Sequence, residues 1–242
     1  MFMLELSKLR RRKFLYSLPL VVIFLFLLEF VMGNQLYQGH RYGSVNGWYL
    51  ENGFFFLNYY FLLPFASMIL VDLIRIEQDS KTIENLRLIP VDLKRFIQSK
   101  FILALLMNLL LSELIFFAML VLEMIDGELV FSNITLLSWV IGYGVVAFVY
   151  TLFANLIVLF LGKCRRELIL AVPFAFLLSF AGLFTLSTAF GQYYLVNLPL
   201  LIMKEFTLLT VFVYAIWFFV LLSCVCYFLA DRGMIKIIFA YK

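Results

Sequence analysis

The chain has 242 residues, of which 65% are hydrophobic and only 14% charged, with a formal net charge of +4. Soluble domains average nearer half apolar and a quarter charged, so a chain of this length cannot hide that much apolar surface in a water-soluble core. The composition excludes a soluble domain and predicts a single all-α integral membrane domain over residues 1–242.

Residues 1–13 form a basic amphipathic lead, in which Leu4, Leu6 and Leu9 alternate with Glu5, Lys8, Arg10, Arg11, Arg12 and Lys13. Such a segment lies at a membrane surface with its cations near anionic head groups. The first predicted span, about 14–33, contains Pro19 and Glu29. Glu29 is near the far end and is expected to reach the interface, where charges escape to water. An outer loop over 34–53 carries His40 with Tyr37, Tyr42, Trp48 and Tyr49, the aromatic belt of a membrane boundary. The second span, 54–74, holds Pro64 and leads to Asp72 and Arg75, spaced i, i+3 for pairing on a helix.

Residues 76–100, IEQDSKTIENLRLIPVDLKRFIQSK, are the long polar stretch of the chain. Ile83, Leu86 and Ile89 recur at intervals of three on one face of a predicted helix, with Glu77, Asp79, Lys81, Glu84 and Arg87 over the rest. Pro90 ends that helix, and Asp92 stands where an N-cap for the next belongs. Glu77 and Glu84 are seven residues apart and fall almost on one line of the polar face.

The third span, 101–122, carries Asn108 and Glu113, with Glu123 at its exit. A carboxyl as deep as Glu113 faces other helices or a wet cavity, and it is either functional or a structural hydrogen-bonding group. After a short acidic outer turn, the fourth span, 134–161, contains Gly142, Gly144 and Asn155. Small residues let helices approach closely. Residues 162–167 are a second basic loop, followed by a polar-dotted fifth span over 168–190. The segment 191–205 is too apolar for a free loop and too short to span, which suits a re-entrant outer piece. The sixth span is 206–230, and a basic tail follows.

Seventeen of the nineteen lysines and arginines fall in the N-terminal lead, the loops at 75–100 and 162–167, and the tail. The positive-inside rule therefore predicts that both termini and both basic loops are cytoplasmic. No phosphate-binding G-x-x-x-x-G-K-[ST] occurs, and one histidine with scattered cysteines provides no metal cluster, catalytic dyad or disulfide framework. No enzyme activity, bound metal or nucleic-acid partner is expected of the chain.

The order E-x-x-x-x-T-[IL]-E-x-L-x-x-x-P-V, ending at Lys100, is carried by Glu77, Thr82, Ile83, Glu84, Leu86, Pro90 and Val91. It resembles the cytoplasmic loop of ABC-2 type transporter permeases. Lys81 stands where that family usually has glycine, and Asp92 where it often has serine. The resemblance implies six transmembrane helices, an N-terminal interfacial helix, a cytoplasmic coupling helix between spans two and three, and a re-entrant segment between spans five and six. It implies ATPase coupling through Glu77, Thr82, Ile83, Glu84, Leu86, Arg87 and Pro90. Glu29, Asn108, Glu113 and Asn155 are the intramembrane polar candidates. The implied partners are two copies of an ABC ATPase, which would hold ATP and Mg, and a second permease, in a bacterial plasma membrane. The chain is most similar to small permeases of peptide export and lantibiotic immunity. A drug, lipid or glycan-precursor permease, or a non-transporting immunity or receptor protein, are the alternatives.

Overall fold

The structure, a computed structural model, describes residues 16–37, 39–79, 93–126, 133–163, 168–204 and 207–230. Helix α1 is Ser17–Gly33; a two-residue hairpin follows, β1 Leu36–Tyr37 antiparallel to β2 His40–Arg41. Helix α2, Trp48–Phe56, runs through a π-helical turn, Leu57–Phe61, into α3, Leu62–Asp79. Then come α4 Leu93–Asp126, α5 Asn133–Lys163, α6 Ala171–Thr185, α7 Leu198–Lys204 and α8 Leu208–Ala230. Among the described residues five stretches are long and apolar enough to cross a membrane: Trp48–Glu77, Phe96–Ile125, Leu136–Leu161, Leu168–Thr185 and Leu208–Tyr227. The apolar α1 is shorter, at 17 residues.

The described prolines sit where helices tolerate them. Pro19, Pro173 and Pro199 fall in the first turns of α1, α6 and α7, where an amide has no intrahelical acceptor to lose. Pro64 is inside the continuous α2–α3 helix. Its ring would crowd the carbonyl four residues back, that of Tyr60, and Tyr60 lies in the π turn, where the backbone is widened.

The α2–π–α3 helix is central. It packs against α4, α5 and α6, while α1 lies on α4 and α2, and α8 touches α5 and α7. One core runs through these elements, with Tyr49, Phe54, Tyr59, Leu63, Leu111, Phe116, Tyr143 and Tyr150 all buried. A second, small cluster of Val149, Leu195 and Leu221 fastens α8. The outward faces of the peripheral helices are Leu, Ile and Phe: Leu20, Phe24 and Leu27 on α1, Phe174 and Leu177 on α6, Phe212 and Phe219 on α8. A monomer in water does not present apolar faces of this extent, whereas hydrocarbon asks for them.

Three boundaries differ from the sequence expectation. The loop expected over 34–53 is shorter, because α2 begins at Trp48 rather than Phe54; Gly47, with φ of 84°, turns the chain into it. The all-α reading omits the hairpin at residues 36–41. The fifth helix stops at Thr185 rather than near 190, and Gly191 folds the chain back so closely that a Cβ there would strike the Thr185 carbonyl. The following segment is packed into the bundle, with Leu195, Val196, Asn197, Leu198 and Leu200 buried.

Candidate functional site: a buried ion pair and a polar column

Helices α3 and α4 flank the segment 80–92, and their facing ends are tied by an ion pair. Lys100 Nζ lies 3.1 Å from Glu77 Oε1, with both side chains only 1% exposed. The same ammonium sits 4.6 Å from the centroid of the Phe96 ring, a cation–π contact, and Ser99 Oγ donates to the Phe96 carbonyl one turn back. Pairing compensates two charges that would be prohibitive alone in such a dry place, so the side chains hold each other in one arrangement. Glu77 is therefore not on a solvent-facing polar surface, as its spacing from Glu84 suggested. Its helix runs unbroken to Asp79 and turns it inward onto a lysine 23 residues ahead. Thr82, Ile83, Glu84, Leu86, Arg87 and Pro90 lie outside the described residues.

From this end a column of polar groups runs between the helices. On the α4–α5 seam, Asn108 Nδ2 donates to the Ala147 carbonyl (3.0 Å) and to Thr151 Oγ1 (3.1 Å), and one turn further Ser112 Oγ donates to the Tyr143 carbonyl (2.8 Å). On the other side of α5, Tyr143 and Tyr150, two turns apart, reach the central helix. The Tyr143 hydroxyl donates to the Leu50 carbonyl (2.9 Å), and the Tyr150 hydroxyl lies 2.7 Å from Asn58 Oδ1. Asn58, in the π turn, donates to the Val196 carbonyl (2.7 Å), while its own carbonyl accepts from Ser179 Oγ (3.1 Å). Next to it the Tyr59 hydroxyl donates to Asn197 Oδ1 (2.9 Å), and Asn197 Nδ2 donates to Thr185 Oγ1 (3.1 Å). Helices α5 and α6 and the segment 196–197 thus converge on the π turn, the kind of helical irregularity that recurs at functional positions. Gly182 makes room for this junction: a Cβ there would lie 2.7 Å from the Tyr59 ring and 2.9 Å from Asn197 Oδ1.

At the opposite end two carboxylates are interior. Glu29 is fully buried and accepts from Asn52 Nδ2 at 2.8 Å, so it does not reach the interface as expected; α2 begins early enough to place Asn52 beside it. Glu123, at the end of α4, accepts from the backbone amides of Gly47 (2.5 Å) and Tyr49 (3.2 Å). It supplies from another helix the acceptor that the unsatisfied first amides of α2 require, and its charge complements the dipole there. Glu113 is partly buried. Its Oε1 fills the space beside Gly144, 3.3 Å from where a Cβ would stand.

The four intramembrane candidates are therefore not one constellation. Asn108 is a pin between α4 and α5, Glu29 is bonded to α2, Glu113 faces Gly144, and Asn155 is 3% exposed with no bonded partner for its Oδ1. Sequence reading passed over Asn58, Asn197 and Tyr150, the members of the junction. The signal was present in Asn58: an amide inside an apolar run is as costly as Asn108 and asks for a partner in the same way. Among the described residues no group of three or more His, Cys, Asp or Glu could hold a metal ion.

The family model described as ABC-2 family transporter protein matches residues 1–182. No curated protein and no solved structure matches the chain. The matched region takes in α1 to α5, the ion pair and most of the polar column. With its apolar helices, this makes the chain a multi-pass membrane component of an ABC transporter, associated with an ABC ATPase; the chain belongs to the ABC-2 family of transporter proteins.

Proposed function

We propose that this chain is the permease subunit of an ATP-driven exporter that moves amphipathic peptides or antimicrobial compounds outward across a bacterial plasma membrane. In this reading α1 is a sixth span, both termini are cytoplasmic, residues 191–205 form a re-entrant outer piece, and two permeases work with two ATPase copies. Glu84, Arg87 and their neighbours in 76–90 meet the ATPase. The observation that carries the coupling half of the proposal is the Glu77–Lys100 pair. It joins the two helices on either side of that segment, so a push on the segment reaches α3 and α4 together. Those helices pack against each other and against α5, and the motion enters the middle of the bundle.

The test is reconstitution of the full chain with the ATPase that co-purifies with it, scored by ATPase pull-down and by export of a cationic amphipathic peptide. Glu84→Lys is expected to leave the permease inserted and folded, to weaken ATPase binding and to stop export. A Glu84→Lys variant that binds the ATPase and exports as well as the parent would remove this segment from the coupling path. Export of other compound classes with no peptide export would replace the substrate class.

A further inference from the structure

The face of α2 turned away from the core borders a cavity of about 250 Å³, lined by Trp48, Glu51, Asn52 and Phe55 with Leu200 of α7. The four α2 residues stand at i, i+3, i+4 and i+7, one stripe of the helix, while Tyr49, Leu50, Gly53 and Phe54 on its other face are buried. Unlike the interior polar groups of the bundle, Trp48, Glu51, Asn52 and Phe55 all keep part of their surface open. Trp48 begins the apolar stretch, and Phe55 is about 10 Å further along it. The cavity therefore reaches from the membrane boundary to the depth at which amphipathic helices lie in the interface, about 5–10 Å. Pockets for whole drug-sized ligands begin near about 300 Å³, so this one has the size for a head group or a side chain.

The lining is aromatic and acidic. The Trp48 ring is stacked on Tyr42 (5.9 Å between centroids) and meets Tyr49 edge-on (5.1 Å), and the Phe55 ring leans on Tyr59 (4.8 Å), so both rings are held in place. Glu51 contributes a carboxylate to the wall. Asn52 Nδ2 is committed to Glu29 Oε2 at 2.8 Å, while its Oδ1 accepts no hydrogen bond, which leaves the acceptor end of this amide for a donor in the cavity. Among the described residues no Lys or Arg lines the space. Ring faces attract a cation, Trp most of all, and a carboxylate and an amide oxygen accept from a cation that carries N–H groups. A quaternary ammonium would satisfy the rings alone. A zwitterionic lipid head would bring a phosphate beside two acceptors, with no described cation to meet it. A primary ammonium on an apolar chain uses the whole lining.

From this geometry we infer that the cavity binds the primary ammonium of a cationic amphiphile, set against Trp48 and Phe55 and donating to Glu51 and Asn52 Oδ1. Taking that ammonium as a lysine side chain of an exported peptide rests on the export reading; the chemistry of the site does not.

The probe is dodecylamine with a photoactivatable diazirine beside its head, added to the purified full-length protein in phosphatidylcholine nanodiscs, with cross-links mapped by mass spectrometry. Labelling of residues 48–55 is expected to exceed that from the matching alcohol and trimethylammonium probes, and to be displaced by a lysine-rich amphipathic peptide. Glu51→Gln should lower it about tenfold or more, the effect of one hydrogen bond to a charged group. Trp48→Leu should lower it about threefold, the effect of one cation–π contact. Labelling by the alcohol probe should change in neither variant, which shows α2 still in place; should either variant fail to fold, the head-group preference of the unaltered protein decides. Equal labelling by the amine and the alcohol, or amine labelling unchanged by Glu51→Gln, would overturn the proposal. Displacement by lysophosphatidylethanolamine and not by the peptide would overturn it too, since the ligand would then be a lipid head group. Amine labelling in a protein that exports no peptide would remove the export reading and keep the site. Export by a protein with no amine preference would remove the site and keep the export reading.

Discussion

The central helix, Trp48 to Asp79, and the last one, Leu208 to Ala230, are both apolar and long enough to cross a membrane, yet they are held in different ways. In the most apolar window of the first, 67% of residues are buried; in that of the second, 17%. The central helix is fixed by polar bonds at each end and in the middle: Glu123 caps its start, Asn58 and Tyr59 are bonded at the π turn, and Glu77 is paired near its finish. Helix α8 meets the bundle mainly through apolar side chains, Leu221 in the small cluster with Val149 and Leu195 and Val225 in the main core, and through an exposed bond from the Trp217 indole to the Tyr193 carbonyl (2.9 Å). Apolar side chains do not distinguish a protein neighbour from lipid, so in hydrocarbon they provide little reason for one helix to choose another. Directional polar bonds and close packing do. The contrast separates a rigid centre, able to transmit displacement, from a flank free to part from α5.

Substitutions at the two helices should break this contrast unequally. The largest effect is expected from Lys100→Met, which removes the buried ammonium paired with Glu77. Loss of one partner of a buried pair costs about 3–5 kcal/mol, and the companion change Glu77→Leu should recover much of it. Unfolding of the single and double variants in mixed micelles measures both; a single variant as stable as the parent would show the pair contributes no rigidity. A smaller loss, about 1–3 kcal/mol, is expected from Gly182→Val, whose side chain overpacks Tyr59 and Asn197 at the π turn. Faster hydrogen exchange of the backbone amides around Tyr59 and Asn197 should accompany it, with α8 unaffected. The smallest change belongs to the flank: Trp217→Phe should alter stability by no more than about 0.5 kcal/mol, since its bond is exposed. A loss there matching that of Gly182→Val would erase the distinction between centre and flank.

The helices were readable because each is a long apolar run bounded by charge, and length and hydropathy are local properties of the chain. The partners of polar groups inside them were not. Trp48 begins a helix because Glu123, 76 residues beyond Gly47, accepts from its first turn, and no local pattern announces an acceptor so far away. For the same reason Glu29 read as a charge near a helix end: its depth depends on Asn52, which arrives only when α2 starts early. Glu77 followed the periodicity of the polar segment, which describes a face but not what faces it, and Lys100 was visible only as the last letter of a motif. Asn108 and Asn155 drew attention as amides in apolar runs, yet Asn108 Nδ2 finds Ala147 and Thr151 on α5 whereas Asn155 Oδ1 is left unbonded, a difference that lies in the neighbouring helix and not in the run itself.

The Val196 carbonyl accepts from both Asn58, 138 residues earlier, and Tyr150, 46 residues earlier. Translation makes the chain from the N-terminus, so helices α2 to α5 are already available to the bilayer when this acceptor is still inside the ribosome. During that interval Asn58 and Tyr150 have each other but not the backbone that closes their junction. The middle of the molecule is in this sense finished by a piece synthesised near its end, and a nascent chain halted before residue 196 would carry a complete set of central helices around an incomplete centre.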